Sequence, residues 1–161
     1  MHLRPATAED CPLLATLILA AVNWTGEPRV TELDAHLARY VDGFGTAPGD
    51  AGVVALDADG PLGAAWLRLV PGGWGYVADK VPELSMAVLP GARGRGVGTA
   101  LLAAVLEGPE RVSLSVEDGN DRARGMYERA GFVVVGRVGG SDTMLRVRAD
   151  AVGGTMSTPS S

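Results

Sequence analysis

The sequence predicts a mixed α/β domain in which helices pack on a sheet, and three observations predict it. Residues 83–107, ELSMAVLPGARGRGVGTALLAAVLE, read as strand, glycine-rich loop and helix in direct succession. Leu84, Met86 and Val88 alternate with Ser85 and Ala87, Pro90 and Gly91 stop the ladder, and residues 99–106 carry the apolar spacing of a helix. Two further stretches, 53–70 and 132–147, alternate around turn residues as hairpins, and the first forty residues repeat their apolar side chains at helical spacing. A chain of 161 residues that is 47% hydrophobic can bury one core, so residues 1–150 are expected to form one domain and 151–161, rich in Gly, Ser and Thr, a disordered tail.

In chain order, residues 2–5 form a short strand. Thr7 with Asp10 resembles a capping box, and Cys11, Leu14, Ala15, Ile18, Leu19 and Val22 line one face of a helix over residues 8–22. Cys11 is thereby assigned to packing. Residues 23–29, with Trp24, Gly26 and Pro28, break that helix. Thr31 with Asp34 repeats the start signal for a second helix whose apolar face runs through Leu33, Leu37, Tyr40, Val41 and Phe44; His36 falls there as a packing or surface residue. Strands at 53–56 and 62–70 flank the turn Asp57-Ala58-Asp59-Gly60. Residues 71–82 are irregular, and Trp74 and Tyr76 in them have two readings: they line an acceptor pocket or cover a sheet edge. After the central helix, Gly108-Pro109 leads to a strand at 111–116. Asn120 is placed to cap a helix over 121–130, Gly131 to end it in a left-handed turn, and 132–138 and 143–147 to close the sheet.

Gly94, Gly96 and Gly98 ahead of a helix N-terminus make an anion cradle, most naturally for a phosphate or pyrophosphate. A dinucleotide-binding fingerprint would need glycine at 99, where Thr99 stands, although Glu117 lies at the distance of a ribose ligand. A nucleoside-triphosphate loop would need Lys and a hydroxyl after Gly96, where Val97 and Gly98 stand.

Arg93-Gly94-Arg95-Gly96-Val97-Gly98 resembles the R/Q-x-x-G-x-G/A signature of the GNAT superfamily of acyl-CoA-dependent N-acetyltransferases. Asn120-Asp121-Arg122-Ala123, then Tyr127 and Gly131-Phe132, resembles that family's later N-x-x-A-x-x-x-Y-x-x-x-G-F segment. The two blocks cover roughly the C-terminal half of the chain. The resemblance implies a mostly antiparallel sheet splayed between two parallel strands, with helices on both faces and acetyl-CoA in the slot. It implies that Met86 and Val88 supply backbone bonds to the pantetheine arm, with Ala87 between them. Arg93, Gly94, Arg95, Gly96, Val97, Gly98 and Thr99 would surround the pyrophosphate, with Arg122 or Arg124 as further candidates across the slot. Asn120 would touch the pantetheine or hold the slot open, and the Val88 N–H would polarise the acetyl carbonyl. Tyr127 matches the position of the family's general acid, and Glu83, the one acidic residue on the central strand, is the candidate base.

The resemblance thus implies N-acetyl transfer from acetyl-CoA to a primary amine by direct attack, with a small amine or amino acid favoured over a protein as acceptor. A non-catalytic acyl-CoA-binding sensor or regulatory module is the alternative; it would keep Arg93, Gly96 and Gly98 but need neither Tyr127 nor a base. Residues 1–82 hold ten acidic and five basic side chains, against nine of each in 83–161. An acidic half-surface argues against nonspecific nucleic-acid binding and favours a cationic acceptor, or serves solubility alone. One cysteine and two histidines exclude an intramolecular disulfide and a usual zinc site, so no metal is expected. The apolar run at 13–22 is too short to span a bilayer and no basic leader precedes it, so a cytoplasmic protein without membrane contact is expected. The closing hairpin could support a homodimer.

Overall fold

A computed structural model describes residues 1–150; the expected disordered tail lies outside the described residues. Seven strands form one sheet in the order β1-β2-β3-β4-β5-β7-β6. They are β1 (His2–Pro5), β2 (Ala51–Asp57), β3 (Gly60–Arg68), β4 (Glu83–Val88), β5 (Arg111–Glu117), β6 (Val133–Val138) and β7 (Ser141–Val147). Every neighbouring pair is antiparallel except β4 and β5, which run parallel. Helices α1 (Cys11–Val22) and α2 (Ala35–Ala38) cover one face, and α3 (Val97–Val105) and α4 (Asp121–Arg129) the other.

β3 is the strand on which both layers rest. Its side chains alternate between two cores: Ala65 and Leu67 face Leu101, Leu102 and Val105 of α3, whereas Ala64 and Trp66 face Leu14, Leu17 and Ile18 of α1. A strand buried on both faces reads as an unbroken apolar run, which GPLGAAWLR nearly is. Trp66 is fully buried and its Nε1 donates to the Tyr40 carbonyl at 2.9 Å, satisfying the one polar atom of the ring and fixing residue 40 above the sheet.

The start of α1 follows the sequence reading. A short 3-10 turn, Ala8–Asp10, carries the capping box, with the Thr7 N–H donating to Asp10 Oδ2 at 2.8 Å and Arg4 holding both carboxylate oxygens. The second helix differs from expectation. It begins after Asp34, not Thr31, because Asp34 has the extended backbone of a cap and its Oδ1 accepts the Leu37 N–H at 2.8 Å. It is a single turn, and tight turns wind through 39–45, where Gly43 and Gly45 take positive φ. The apolar face is nonetheless buried as read, with Leu37, Tyr40, Val41 and Phe44 in the α1 core. The first hairpin spans 51–57 and 60–68, pairing Asp57 with Gly60 across two turn residues.

α4 ends in a Schellman arrangement. Gly131 at φ +100 lets its own N–H reach the Glu128 carbonyl at 3.1 Å and the Phe132 N–H reach the Tyr127 carbonyl at 3.0 Å. Ala123, Met126, Tyr127 and Ala130 recur at helical spacing and pack on the α3 core. At the sheet's far edge β6 is exposed along its whole length, Val133, Val134, Val135 and Val138 included. No helix among the described residues is long and apolar enough to cross a membrane.

Candidate active site

β4 and β5 touch at one register only, Glu83 opposite Ser113, where the Ser113 N–H donates to the Pro82 carbonyl at 3.0 Å. Beyond that point they splay. On the other side of β4, Leu89 donates to the Leu62 carbonyl at 2.8 Å, so the odd-numbered residues of β4 bond β3. The backbone groups of Met86 and Val88, beyond the Glu83–Ser113 contact, therefore face the gap with no strand to pair them. Such groups need a partner, and an extended amide-bearing ligand is one.

The gap is part of a cavity of about 1000 Å³, at the upper end of what a single small-molecule site uses. It continues to the N-terminus of α3. There Gly96, at φ +77, is the N-cap, and the helix begins at Val97, two residues before the sequence spacing suggested, because the left-handed glycine itself turns the chain into the first helical turn. No side chain caps this end, and a Cβ added at Gly91, Gly94 or Gly96 would meet nothing within 4 Å. The free N–H groups of the first turn are thus open to an anion. Arg93, Gly94, Gly96, Val97, Gly98 and Thr99 all line the cavity. Arg95 does not: its guanidinium is turned back to Asp57 of the first hairpin at 3.1 Å. Across the gap Arg122 lines the cavity, whereas Arg124 pairs with Asp142 at 2.8 Å.

α4 brings Tyr127 and Asn120 to the same cavity. The Tyr127 ring packs edge-on against Phe132, 5.8 Å between centroids, and its hydroxyl makes no hydrogen bond among the described residues. Burial alone pushes its pKa up to about 12, so the phenol keeps its proton. Asn120 stands at the N-cap, but its side chain makes no capping bond, contrary to the sequence reading. The φ of −82° and ψ of 63° depart from the extended cap geometry that would aim the amide at the helix. Its side chain is left uncommitted beside the gap.

On the α1 and α2 face the floor is Glu83, 4% exposed. Tyr40 Oη donates to Glu83 Oε2 at 2.7 Å and the Gly75 N–H donates to the same oxygen at 3.0 Å, while Oε1 is buried without a partner. Burial raises the carboxyl above its ordinary value, against the lowering effect of those two bonds. Tyr40 also accepts the Trp74 N–H at 2.9 Å, and its ring stacks on Trp74 at 5.6 Å and 16°. The loop 71–82 reaches this depth because it has glycine where it meets the sheet: a Cβ on Gly73 would lie 2.5 Å from Glu83 Oε1, and one on Gly75 2.6 Å from the Leu114 carbonyl carbon. Of the two loop aromatics Trp74 lines the cavity; Tyr76 turns to Asp79 outside it. His36 packs edge-on against Trp74 at 4.2 Å, a packing role as read.

Sequence reasoning missed Tyr40, which it counted as core, and the cluster at the cavity mouth. There Glu117 accepts from Trp24 Nε1 at 2.6 Å and from both terminal nitrogens of Arg29, at 2.7 and 3.1 Å. Arg29 holds the Glu117 carboxyl below its ordinary range. The signals were faint: an arginine in a loop, and an acid that the dinucleotide reading would have given to a ribose.

Comparison with known proteins agrees with this geometry. A mycothiol acetyltransferase from Beutenbergia cavernae is 40% identical over 85 residues, 49% of this chain and 27% of the relative, so the chain spans about a quarter of that protein's length. A GCN5-related N-acetyltransferase from Kribbella flavida superposes with a TM-score of 0.64 at 27% identity, covering 91% of this chain and 97% of that one. A phosphinothricin acetyltransferase from Sinorhizobium meliloti, solved with acetyl-CoA, shares the fold with a TM-score of 0.65 at 23% identity, covering 91% and 87%. The model of the acetyltransferase (GNAT) family matches residues 18–132, a span that takes in both faces of the cavity, the splayed strands, the glycine loop and Tyr127. With that match over most of its length, the chain belongs to the GNAT acetyltransferase family.

Proposed function

We propose that the chain transfers an acetyl group from acetyl-CoA to a primary amine by direct attack, with a small amine as acceptor. The observation that carries this reading is the parting of β4 from β5 after Glu83, which leaves Met86 and Val88 unpaired along a gap that ends at the open N-terminus of α3. Acetyl-CoA would supply the acetyl group as a thioester. Met86 and Val88 would hold its amide arm through their backbone, with Ala87 bonded to β3 between them. The N–H groups from Arg93 to Thr99, with the Arg93 guanidinium, would hold the pyrophosphate. Asn120 is suited to an amide of the same arm, and the Val88 N–H to the acetyl oxygen.

Two proton tasks remain for the chain. An alkylammonium with a pKa near ~10.4 must lose a proton before its nitrogen can attack, and the raised carboxyl of Glu83 is the base we assign, acting through water. The leaving thiolate, with a thiol pKa of about 8.5, needs a proton or a hydrogen bond, and Tyr127 has an uncommitted hydroxyl. A phenol at about 12 gives a hydrogen bond more readily than it gives up its proton to such a thiolate, so stabilisation precedes transfer.

The test is free-thiol release from acetyl-CoA across a panel of amines and peptides, with Tyr127→Phe beside the parent. Amine-dependent release that drops sharply in the variant supports the enzyme and the role of Tyr127. Tight acetyl-CoA binding without release on any acceptor would instead favour a binding module.

A further inference from the structure

We propose that the acceptor is an amine on an aromatic or aliphatic body that carries no carboxylate, an arylalkylamine being the best fit. This rests on the acetyltransferase reading and narrows it. The cavity wall on the α1 and α2 face is apolar, from Ile18, Ala21, Val22 and Leu37, and one side of it is the Trp74 ring stacked over Tyr40. Trp74 lines the cavity and is 39% exposed although Tyr40 stacks on it and His36 packs edge-on against it, so part of the indole is left uncovered. A flat apolar group gains by stacking there, and a cation over the ring gains from its negative face.

The charges on this face favour a cation and leave nothing for an anion. Among the described residues lining it, Arg29 is the one cation. Its two terminal nitrogens both bond the Glu117 carboxylate, and one also donates to the Val22 carbonyl. Trp24 Nε1 holds the same carboxylate. A substrate carboxylate would have to pull Arg29 away from Glu117, leaving that acid without its cation and close to the incoming negative charge. Asp34 lines the cavity too; its Oδ1 is used by the Leu37 N–H and its Oδ2 has no protein partner among the described residues. The arrangement attracts an ammonium and repels a carboxylate, which is discrimination by repulsion as much as by fit. Arg93, Arg122 and Arg129 belong to the α3 and α4 side, where the phosphates would lie.

The experiment compares matched pairs: phenethylamine with phenylalanine, tryptamine with tryptophan, and butylamine with 4-aminobutyrate. Thiol release gives kcat/KM for each, and calorimetry measures acetyl-CoA affinity separately, without acceptor. The expected result is at least about a tenfold preference for the carboxylate-free member of each pair, greatest for the aromatic pairs. Trp74→Ala should raise KM for phenethylamine with acetyl-CoA affinity unchanged. Glu117→Gln, which frees Arg29 of its counter-charge, should narrow the phenethylamine to phenylalanine ratio by raising turnover of the amino acid. Equal or better use of the amino acids by the parent, or use of peptide N-termini alone, would overturn the proposal while leaving the acetyltransferase reading in place. Absence of acetyl-CoA binding would overturn both.

Discussion

Tyr40 donates its phenolic hydrogen to Glu83 across 2.7 Å, joining the turn after α2 to the first residue of the splayed strand. The same hydroxyl takes the Trp74 N–H and the same carboxylate takes the Gly75 N–H, so one buried pair also ties down the loop that supplies the aromatic wall. Burial beside Glu83 drives the Tyr40 hydroxyl far up, so it remains a donor.

A pH signature follows for Glu83. Its folded pKa is raised by burial, so in the window between the unfolded value and the folded one the native state holds a proton that the unfolded chain has released. Stability contributed by this group is full below the unfolded pKa of ~4.3 and is lost as pH rises through the folded pKa. Glu83→Gln removes that titration. The difference in unfolding free energy, parent minus variant, should therefore fall with rising pH across that window. As the proposed base, the same group should set the acid limb of kcat/KM, which is expected to lie above ~4.3. Denaturant unfolding of both proteins from pH 4 to 8 checks the first, and a pH profile of thiol release the second. A flat difference would mean that Glu83 titrates normally.

Tyr127→Phe should separate chemistry from folding. The hydroxyl makes no hydrogen bond among the described residues, and the ring's contact with Phe132 survives the change. Its removal should shift stability by no more than about 0.5 kcal/mol. Thiol release should fall by roughly 10²-fold, the lower end of general acid catalysis, because a phenol at about 12 acts mainly by hydrogen bonding. Acetyl-CoA affinity should stay within about threefold, as expected of a group needed in the transition state. Unchanged kcat would take Tyr127 out of the reaction.

The parts of the site that the sequence made legible are local ones. The strand, loop and helix of residues 83–105 declare themselves through alternation, glycine and apolar spacing within one short stretch, and Gly131 marks the end of α4 from the next residue along. What stayed hidden depends on contacts distant in sequence. Tyr40 and Glu83 are 43 residues apart, and Trp24 and Glu117 are 93 apart. Helical spacing put Tyr40 in the core, which is true of its ring, and said nothing of the hydroxyl. Asn120 was read as a cap from residue type and position, both correct, yet capping depends on a backbone angle that neither encodes. Arg95 shares a motif with Arg93 and turns elsewhere, because the first hairpin, far away in sequence, offers Asp57.

Gly96→Ala tests the anion cradle. At φ +77 an alanine carries a left-handed strain of about 1–2 kcal/mol, although its Cβ would meet nothing within 4 Å. The loop should relieve that strain by rotating away, taking the first-turn N–H groups out of alignment. Calorimetry should show acetyl-CoA binding weakened by about tenfold or more, and desulfo or dephosphorylated fragments of the pantetheine arm, which lack the pyrophosphate, affected much less. Equal losses for both would place the effect elsewhere than at the phosphates.

Gly63→Ala tests whether the edge of β4 holds the cofactor. Gly63 lies opposite Val88 in β3, and a Cβ there would sit 2.5 Å from the Ala87 carbonyl oxygen and 3.0 Å from the Val88 Cα. Both are backbone atoms, so no side chain can swing aside; β4 must move, and the direction open to it is into the gap beside β5. Overpacking of this kind costs about 1–3 kcal/mol and should lower the unfolding midpoint. The same shift carries the unpaired groups of Met86 and Val88 out of place, and displacements of about 1 Å in a positioning element can cost roughly 10²-fold in rate. Acetyl-CoA affinity and kcat/KM should both fall in Gly63→Ala. Gly108→Ala, where a Cβ would meet nothing and φ is not positive, should change neither. A Gly63→Ala protein that is less stable yet binds acetyl-CoA as the parent does would show that the cofactor is not held along this edge.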